Sequence, residues 1–158
     1  MQLNFLFLVI LILIFLQDLK ERKVYLWLLI VAFILSGYLF YQQTILQLYL
    51  LHISTNALVF LMLILVLFLY SKFKMKLKLS DALGFGDILF FLVFVFGFPV
   101  ETFLLLFVSS LVFSLILYQV LKPKLSKKTI PLAGLQALFL FLILFINLAF
   151  NIVNLYSI

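Results

Sequence analysis

The segment from Gly84 to Phe98 reads GFGDILFFLVFVFGF and joins a glycine-flanked acid to an apolar run. Asp87 stands at the mouth of that run, in a chain with five Asp and Glu residues among 158. A carboxylate beside hydrocarbon is costly, so an acid in this setting marks a candidate functional site. The segment predicts a membrane helix with a functional carboxylate at its beginning.

The composition of the whole chain is that of a membrane protein. Hydrophobic residues make up 68% of it, 21 residues are Phe, and the mean hydropathy is +1.42. A chain of this length holds about six spans of roughly 20 residues and little else. We therefore predict one all-α membrane domain over 1–158. The absence of Cys excludes structural disulfides and a thiolate zinc site.

Apolar residues are grouped into six runs, and each run is predicted to form a transmembrane helix. The runs cover residues 3–17, 24–41, 53–70, 86–98, 100–121 and 131–157. The mixed piece from Gln42 to His52 is either an interfacial turn or an early extension of the third helix. The fourth run is short for a span, so its helix is expected to begin before Gly86 or to lie in a thinned, protein-lined region.

All eleven basic residues lie in three of the connections between these runs. They are Lys20, Arg22 and Lys23, then Lys72, Lys74, Lys76 and Lys78, and finally Lys122, Lys124, Lys127 and Lys128. With six spans these connections share one side, which the positive-inside rule makes cytoplasmic. Both termini are then non-cytoplasmic, in a multi-pass protein of the cytoplasmic (inner) membrane. This orientation accounts for the net charge of +6, so the lipid bilayer and not nucleic acid is the predicted partner.

A second acid is predicted at the same membrane face. The first helix runs inward and ends at Asp18, while the fourth begins near Asp87 on the cytoplasmic side. Two carboxylates placed close together hold one shared proton, because both cannot ionise easily. The charged member can take a proton from water while the protonated member polarises a peptide carbonyl. The two acids thus predict an intramembrane aspartyl endopeptidase.

Simpler roles for these residues stay open on the sequence alone. Gly84 and Gly86 permit positive φ and close backbone approach, so they can turn the chain and present Asp87 at a helix start. Asp87 could equally cap that helix, and Asp18 could be an interfacial residue that balances nearby basic charge. A small proton- or cation-coupled transporter or assembly subunit would use the same acids.

Three motifs together resemble the type IV prepilin peptidase family of GxGD aspartyl proteases. The first is GFGD at 84–87, taken with Asp18 after the first helix. The second is DLKERKV at 18–24, which looks like the family's acid followed by basic residues and an aliphatic one. The third is IPLAG at 130–134, which looks like the family's Ile-Pro entry to the last helix. The chain is similar to the short, peptidase-only members.

This resemblance implies a function and a set of site residues. The catalytic pair would be Asp18 and Asp87, with Gly84, Phe85 and Gly86 as the active-site loop, and no metal or organic cofactor is implied. The substrates would be prepilin-like precursors, whose basic leader lies in the cytoplasm and whose apolar helix lies in the bilayer. Cleavage would occur at the cytoplasmic membrane face, as type IV pilus assembly and protein secretion require.

Residues 71–79, SKFKMKLKL, alternate Lys with apolar residues at the period of a strand. They form either a basic anchor at lipid headgroups or an edge strand that pairs with an extended substrate. On the second interpretation Lys76 and Lys78, together with Pro131 of the third motif, are candidate substrate-binding residues.

The chain departs from the family pattern at three positions. Tyr25 and Leu26 stand where family members usually have Pro and Asn, and Leu89 stands where a Lys is common. A catalytically silent homologue that binds prepilin-like helices is therefore a further alternative.

Overall fold

The computed structural model describes residues 2–75, 84–122, 130–151 and 153–156, which contain six α-helices and no strand. The helices are α1 (Gln2–Glu21), α2 (Leu26–Tyr41), α3 (Leu46–Tyr70), α4 (Phe85–Gly97), α5 (Val100–Leu121) and α6 (Leu132–Phe150). Four of them, α1, α3, α5 and α6, are long and apolar enough to cross a membrane. The prediction of an all-α membrane protein is confirmed.

Two helix boundaries differ most from the apolar runs, each by seven residues. Helix α3 begins at Leu46, so most of the mixed piece is an early extension of the third helix. Helix α6 ends at Phe150 and not at 157. It stops because Asn151 adopts the left-handed conformation (φ 48°), while the side-chain Oδ1 of Asn147 accepts a bond from the Val153 N–H.

The strand interpretation of 71–79 is wrong for its first five residues. Ser71–Met75 form a π-helical turn that continues α3. At the end of a long apolar helix, continued helical bonding satisfies the backbone inside the segment, whereas an edge strand leaves it exposed. Residues 76–79 lie outside the described residues.

Helix α4 packs closely on α2 because small residues lie at their contact. The Ser36 hydroxyl of α2 donates a hydrogen bond of 2.7 Å to the Val93 carbonyl of α4. A Cβ built at Gly97 would overlap the Ser36 Oγ, so only glycine fits there without movement. Small residues that let two backbones approach are a common feature of membrane helix contacts.

Aromatic side chains fill the space between α4 and two other helices. The Phe91 ring makes edge-on contacts with Phe60 of α3 and Phe107 of α5, at centroid distances of 6.1 and 5.0 Å. Asn56, one turn from Phe60, donates bonds of 2.9 Å from its Nδ2 to the carbonyls of Val95 and Phe98. These contacts hold the end of α4 that is remote from Asp87.

The 13 residues of α4 make it shorter than a full span. Its length is about 20 Å, against a hydrocarbon core of about 30 Å. Longer helices surround most of α4, but its first turn begins at the exposed Phe85. We call the end of the bundle that holds this first turn the acid end.

Candidate active site

Asp18 lies in the last turn of α1 and faces the interior of the bundle. It continues a buried stripe formed by Phe7, Leu11 and Ile14, and its side chain is 6% exposed. The stripe has the spacing of one helix face, which explains why a carboxylate here points inward. Just beyond it α1 ends, where Arg22 (φ 58°) donates its N–H to the Asp18 carbonyl at 3.1 Å.

Asp87 is the third residue of α4, and one of its oxygens closes the start of that helix. The Gly84 N–H donates to Asp87 Oδ2 at 3.2 Å. A Cβ at position 84 would lie 2.9 Å from the same oxygen, so glycine is needed for this close approach. Asp87 is therefore not the N-cap, which is Gly84, but its side chain does bind the N-cap N–H, with one of its two carboxylate oxygens.

The expectation of positive φ at the motif glycines is wrong. Gly84 has φ −67° and ψ 143°, which any residue can adopt, and no described glycine has positive φ. Gly86 is the second residue of α4, and a Cβ there would meet only Leu29, at 4.0 Å. Phe85 is the first residue of the helix and is 72% exposed. The predicted active-site loop is thus the N-cap and first turn of α4.

The first turn of α6 brings the two acids together. The Ala133 N–H donates to Asp87 Oδ1 at 2.8 Å, and the Gly134 N–H donates to Asp18 Oδ2 at 2.7 Å. These donors belong to consecutive residues, so bond lengths limit the separation of the two bound oxygens to below about 10 Å. They are among the N–H groups that have no partner within their own helix, at the helix end that favours anions.

Gly134 makes this arrangement possible by having no side chain. A Cβ at position 134 would lie 2.8 Å from the Asp18 Cβ and 2.9 Å from its Oδ2. The sequence predicts that Pro131 and its neighbours pack against the two acids, but it did not predict the hydrogen bonds from the Ala133 and Gly134 amides. The signal available for them was a glycine three residues after Pro131 in the IPLAG motif.

The remaining predicted site residues are Pro131, Lys76 and Lys78. Pro131 is buried and caps α6, immediately before the helix that supplies the two amides. Lys76 and Lys78 lie outside the described residues. Among the residues that are described, no group of three or more His, Cys, Asp and Glu side chains could hold a metal ion.

The three positions that depart from the family pattern have different settings. Tyr25 is the N-cap of α2 with φ −64° and ψ 130°, and its N–H donates to Gln17 Oε1 at 3.2 Å. Leu26 begins α2 and is exposed, whereas Leu89 is partly buried against the core. The hydrogen-bond donors to the two carboxylates are backbone N–H groups, so none of these three side chains replaces one of them.

The fold and site define a class: a polytopic helical membrane protein in which two carboxylates from different helices meet at one end of the bundle. A family model described as the type IV leader peptidase family matches residues 5–120, well over half of the chain. The chain belongs to the type IV leader peptidase family, as the motifs indicated. Membership supports a leader-peptidase function at the level of the family. No curated protein matches the chain, and no solved structure matches it.

Proposed function

We propose that this protein is an intramembrane aspartyl endopeptidase that removes basic leader peptides from prepilin-like precursors at the cytoplasmic face of the cell membrane. Asp18 and Asp87 are its catalytic pair. The observation that carries the proposal is that consecutive amides, those of Ala133 and Gly134, each bind one of the two carboxylates. Acids that are 69 positions apart in the chain would not share one helix end if Asp87 only capped its own helix and Asp18 only balanced nearby basic charge.

The reaction follows from one proton shared between two carboxylates. The ionised acid takes a proton from a water molecule while the protonated acid donates a hydrogen bond to the scissile carbonyl. The water oxygen then bonds to the carbonyl carbon, giving a tetrahedral intermediate. Breakdown of that intermediate releases the amine with the proton from the first acid, and the new carboxylate leaves with the leader.

The position of the pair fits a substrate with a basic leader and an apolar helix. Asp87 is in the first turn of a short helix, next to the exposed Gly84 and Phe85, so a chain at the acid end can approach it. Irregular backbone and water are tolerated at membrane depth only inside such a protein-lined space. The roles of Lys76, Lys78 and Pro131 in holding the precursor stay predictions.

The proposal includes a topology of six membrane spans with both termini on the non-cytoplasmic side. Lys20 lies in the last turn of α1, and Arg22 and Lys23 follow that helix. Lys72 follows α3 and Lys122 follows α5, so these charges all lie at the acid end. The positive-inside rule then places the acid end in the cytoplasm. Helices α2 and α4 complete their crossings although they are short. Helix α2 does so with an exposed apolar face that includes Trp27, Ile30 and Ile34, whereas α4 is mostly buried among its neighbours.

The test is cleavage of a co-expressed prepilin-like precursor in membranes. We expect cleavage by the wild type and by Glu101→Gln, which removes an exposed carboxylate from the opposite end of the bundle. We expect none by Asp18→Asn or Asp87→Asn at equal membrane levels. Persistent cleavage in either Asn variant would remove that acid from the pair. A wild type that cleaves none of several precursors would contradict the proposed function.

A further inference from the structure

A buried polar cluster links α6 to α5 close to the two amides. Gln136, Ser110 and Ser114 have no exposed surface. The Gln136 Nε2 donates to Ser110 Oγ at 3.1 Å, and the Ser110 hydroxyl donates to the Phe107 carbonyl at 2.7 Å. The Ser114 hydroxyl donates in turn to the Ser110 carbonyl at 2.7 Å. Every hydroxyl and the amide nitrogen of this cluster are therefore engaged.

The hydrogen bond from Gln136 to Ser110 fixes the orientation of α6 about its own helix axis. The other polar atom of the side chain, Gln136 Oε1, is buried and has no hydrogen-bond partner. A rotation that broke the Nε2 bond would leave the whole amide group unsatisfied in apolar surroundings, which is costly. The side chain thus favours the one orientation in which it reaches Ser110.

That orientation is also the one that the acid pair needs. Gln136 lies three residues after Ala133, which is less than one helical turn, so both belong to one rigid segment. Turning α6 by one residue position, about 100°, would carry both amides away from the carboxylates. Neither acid belongs to α5 or α6. The contact with α5 therefore fixes the orientation of α6 without involving the two helices that carry the acids.

We infer that Gln136 is a positioning residue for the acid pair: its hydrogen bond to Ser110 aims the amides of Ala133 and Gly134 at Asp87 and Asp18. This inference rests on the proposed peptidase function. Residue 136 lies beyond the part of the chain that the family model matches, which ends at 120.

The experiment measures precursor cleavage by Gln136→Met, which removes the amide and keeps a side chain of similar length. Leu140→Met is the matched control, because position 140 is one turn further along α6 and is also fully buried. We expect Gln136→Met to lower the maximal cleavage rate about tenfold per folded molecule, while the precursor concentration at half-maximal rate stays unchanged. The pH profile should also change, because the two carboxylates are no longer held as one pair.

A double-mutant cycle separates positioning from general stability. Ser110→Ala alone should lower the maximal rate in the same way, and the variant with both changes should be no slower than the slower single one. Losses that only follow the amount of folded protein, or a fully additive double variant, would overturn the inference. Wild-type rates in Gln136→Met, with Asp18→Asn and Asp87→Asn inactive, would overturn the inference and leave the proposed function standing. An inactive wild type would overturn both.

Discussion

Gly134 lies against Asp18 so closely that a Cβ at position 134 would stand 2.8 Å from the Asp18 Cβ. The contact joins the last turn of α1 to the first turn of α6, across 116 positions of sequence. Backbone donors have fixed positions once their helix is packed, so this contact determines where one carboxylate lies relative to the other. The geometry of the pair therefore depends on a residue that carries no functional group.

The first prediction concerns Gly134→Ala. The added methyl group must displace Asp18, which breaks the 2.7 Å bond to the Gly134 N–H. We expect loss of precursor cleavage and a loss of stability of about 1–3 kcal/mol, the usual cost of overpacking. Cleavage in membranes and thermal unfolding in detergent measure the two effects.

Gly86→Ala is the matched control for the stability measurement. A Cβ at position 86 meets only Leu29, at 4.0 Å, and alanine is the better helix former. Its melting temperature should equal or exceed that of the wild type. An equal fall in melting temperature for both variants would show that the close contact of Gly134 with Asp18 does not cause the loss of stability.

The second prediction concerns the contact between α2 and α4. Gly97→Ala places a methyl group on the Ser36 Oγ and should lower the melting temperature. Adding Ser36→Ala removes that oxygen, together with its bond to the Val93 carbonyl. The variant with both changes should therefore be more stable than Gly97→Ala alone. A double variant that is less stable than either single one would contradict this packing.

The third prediction concerns Tyr25, which stands where the family usually has proline. Its φ of −64° is the value that proline prefers, but its N–H donates to Gln17 Oε1. Tyr25→Pro should thus fit the backbone and cost about 1 kcal/mol for the lost bond. In a Gln17→Leu background the same change should cost almost nothing. A large loss in that background would show that the Tyr25 side chain matters instead.

The fourth prediction concerns the end of α4 that is remote from the acids. Asn56→Ala leaves the carbonyls of Val95 and Phe98 without their side-chain donor. We expect a loss of about 1–2 kcal/mol in thermal or denaturant unfolding. The control is Thr55→Ala, because the exposed Thr55 hydroxyl bonds only to Leu51 of its own helix. Equal losses in the two variants would contradict the role of Asn56.

Much of the fold was predictable from local pattern. Runs of apolar residues predicted the helices, and the scarcity of acids drew attention to Asp18 and Asp87. Both signals are local. A membrane span must form its backbone hydrogen bonds within its own helix, and an acid beside hydrocarbon is costly, so it marks a functional site. The helix ends were less accurate, since the end of α6 depends on the conformation of Asn151.

The parts of the site that could not be predicted depend on packing between distant segments. The role of Gly134 requires α1 and α6 to be in contact, which no short motif encodes. Of the two reasons that the sequence offered for Gly84, the structure shows the close approach, which is to the Asp87 side chain, and not the positive φ. The alternation of Lys and apolar residues after Tyr70 suggested a strand, yet the helix before it continues into Ser71–Met75.

The most direct test of the account is whether the side chains at 18 and 87 lie side by side. The chain has no Cys, so Asp18→Cys combined with Asp87→Cys gives a protein with two thiols. A bifunctional thiol reagent with a reach of about 10 Å, the limit set by bond lengths, should link them within one chain. Asp18→Cys with Glu101→Cys should not be linked, because Glu101 is in the first turn of α5, at the end of the bundle remote from the acids. Failure to link positions 18 and 87, when each thiol alone reacts with the reagent, would contradict the account.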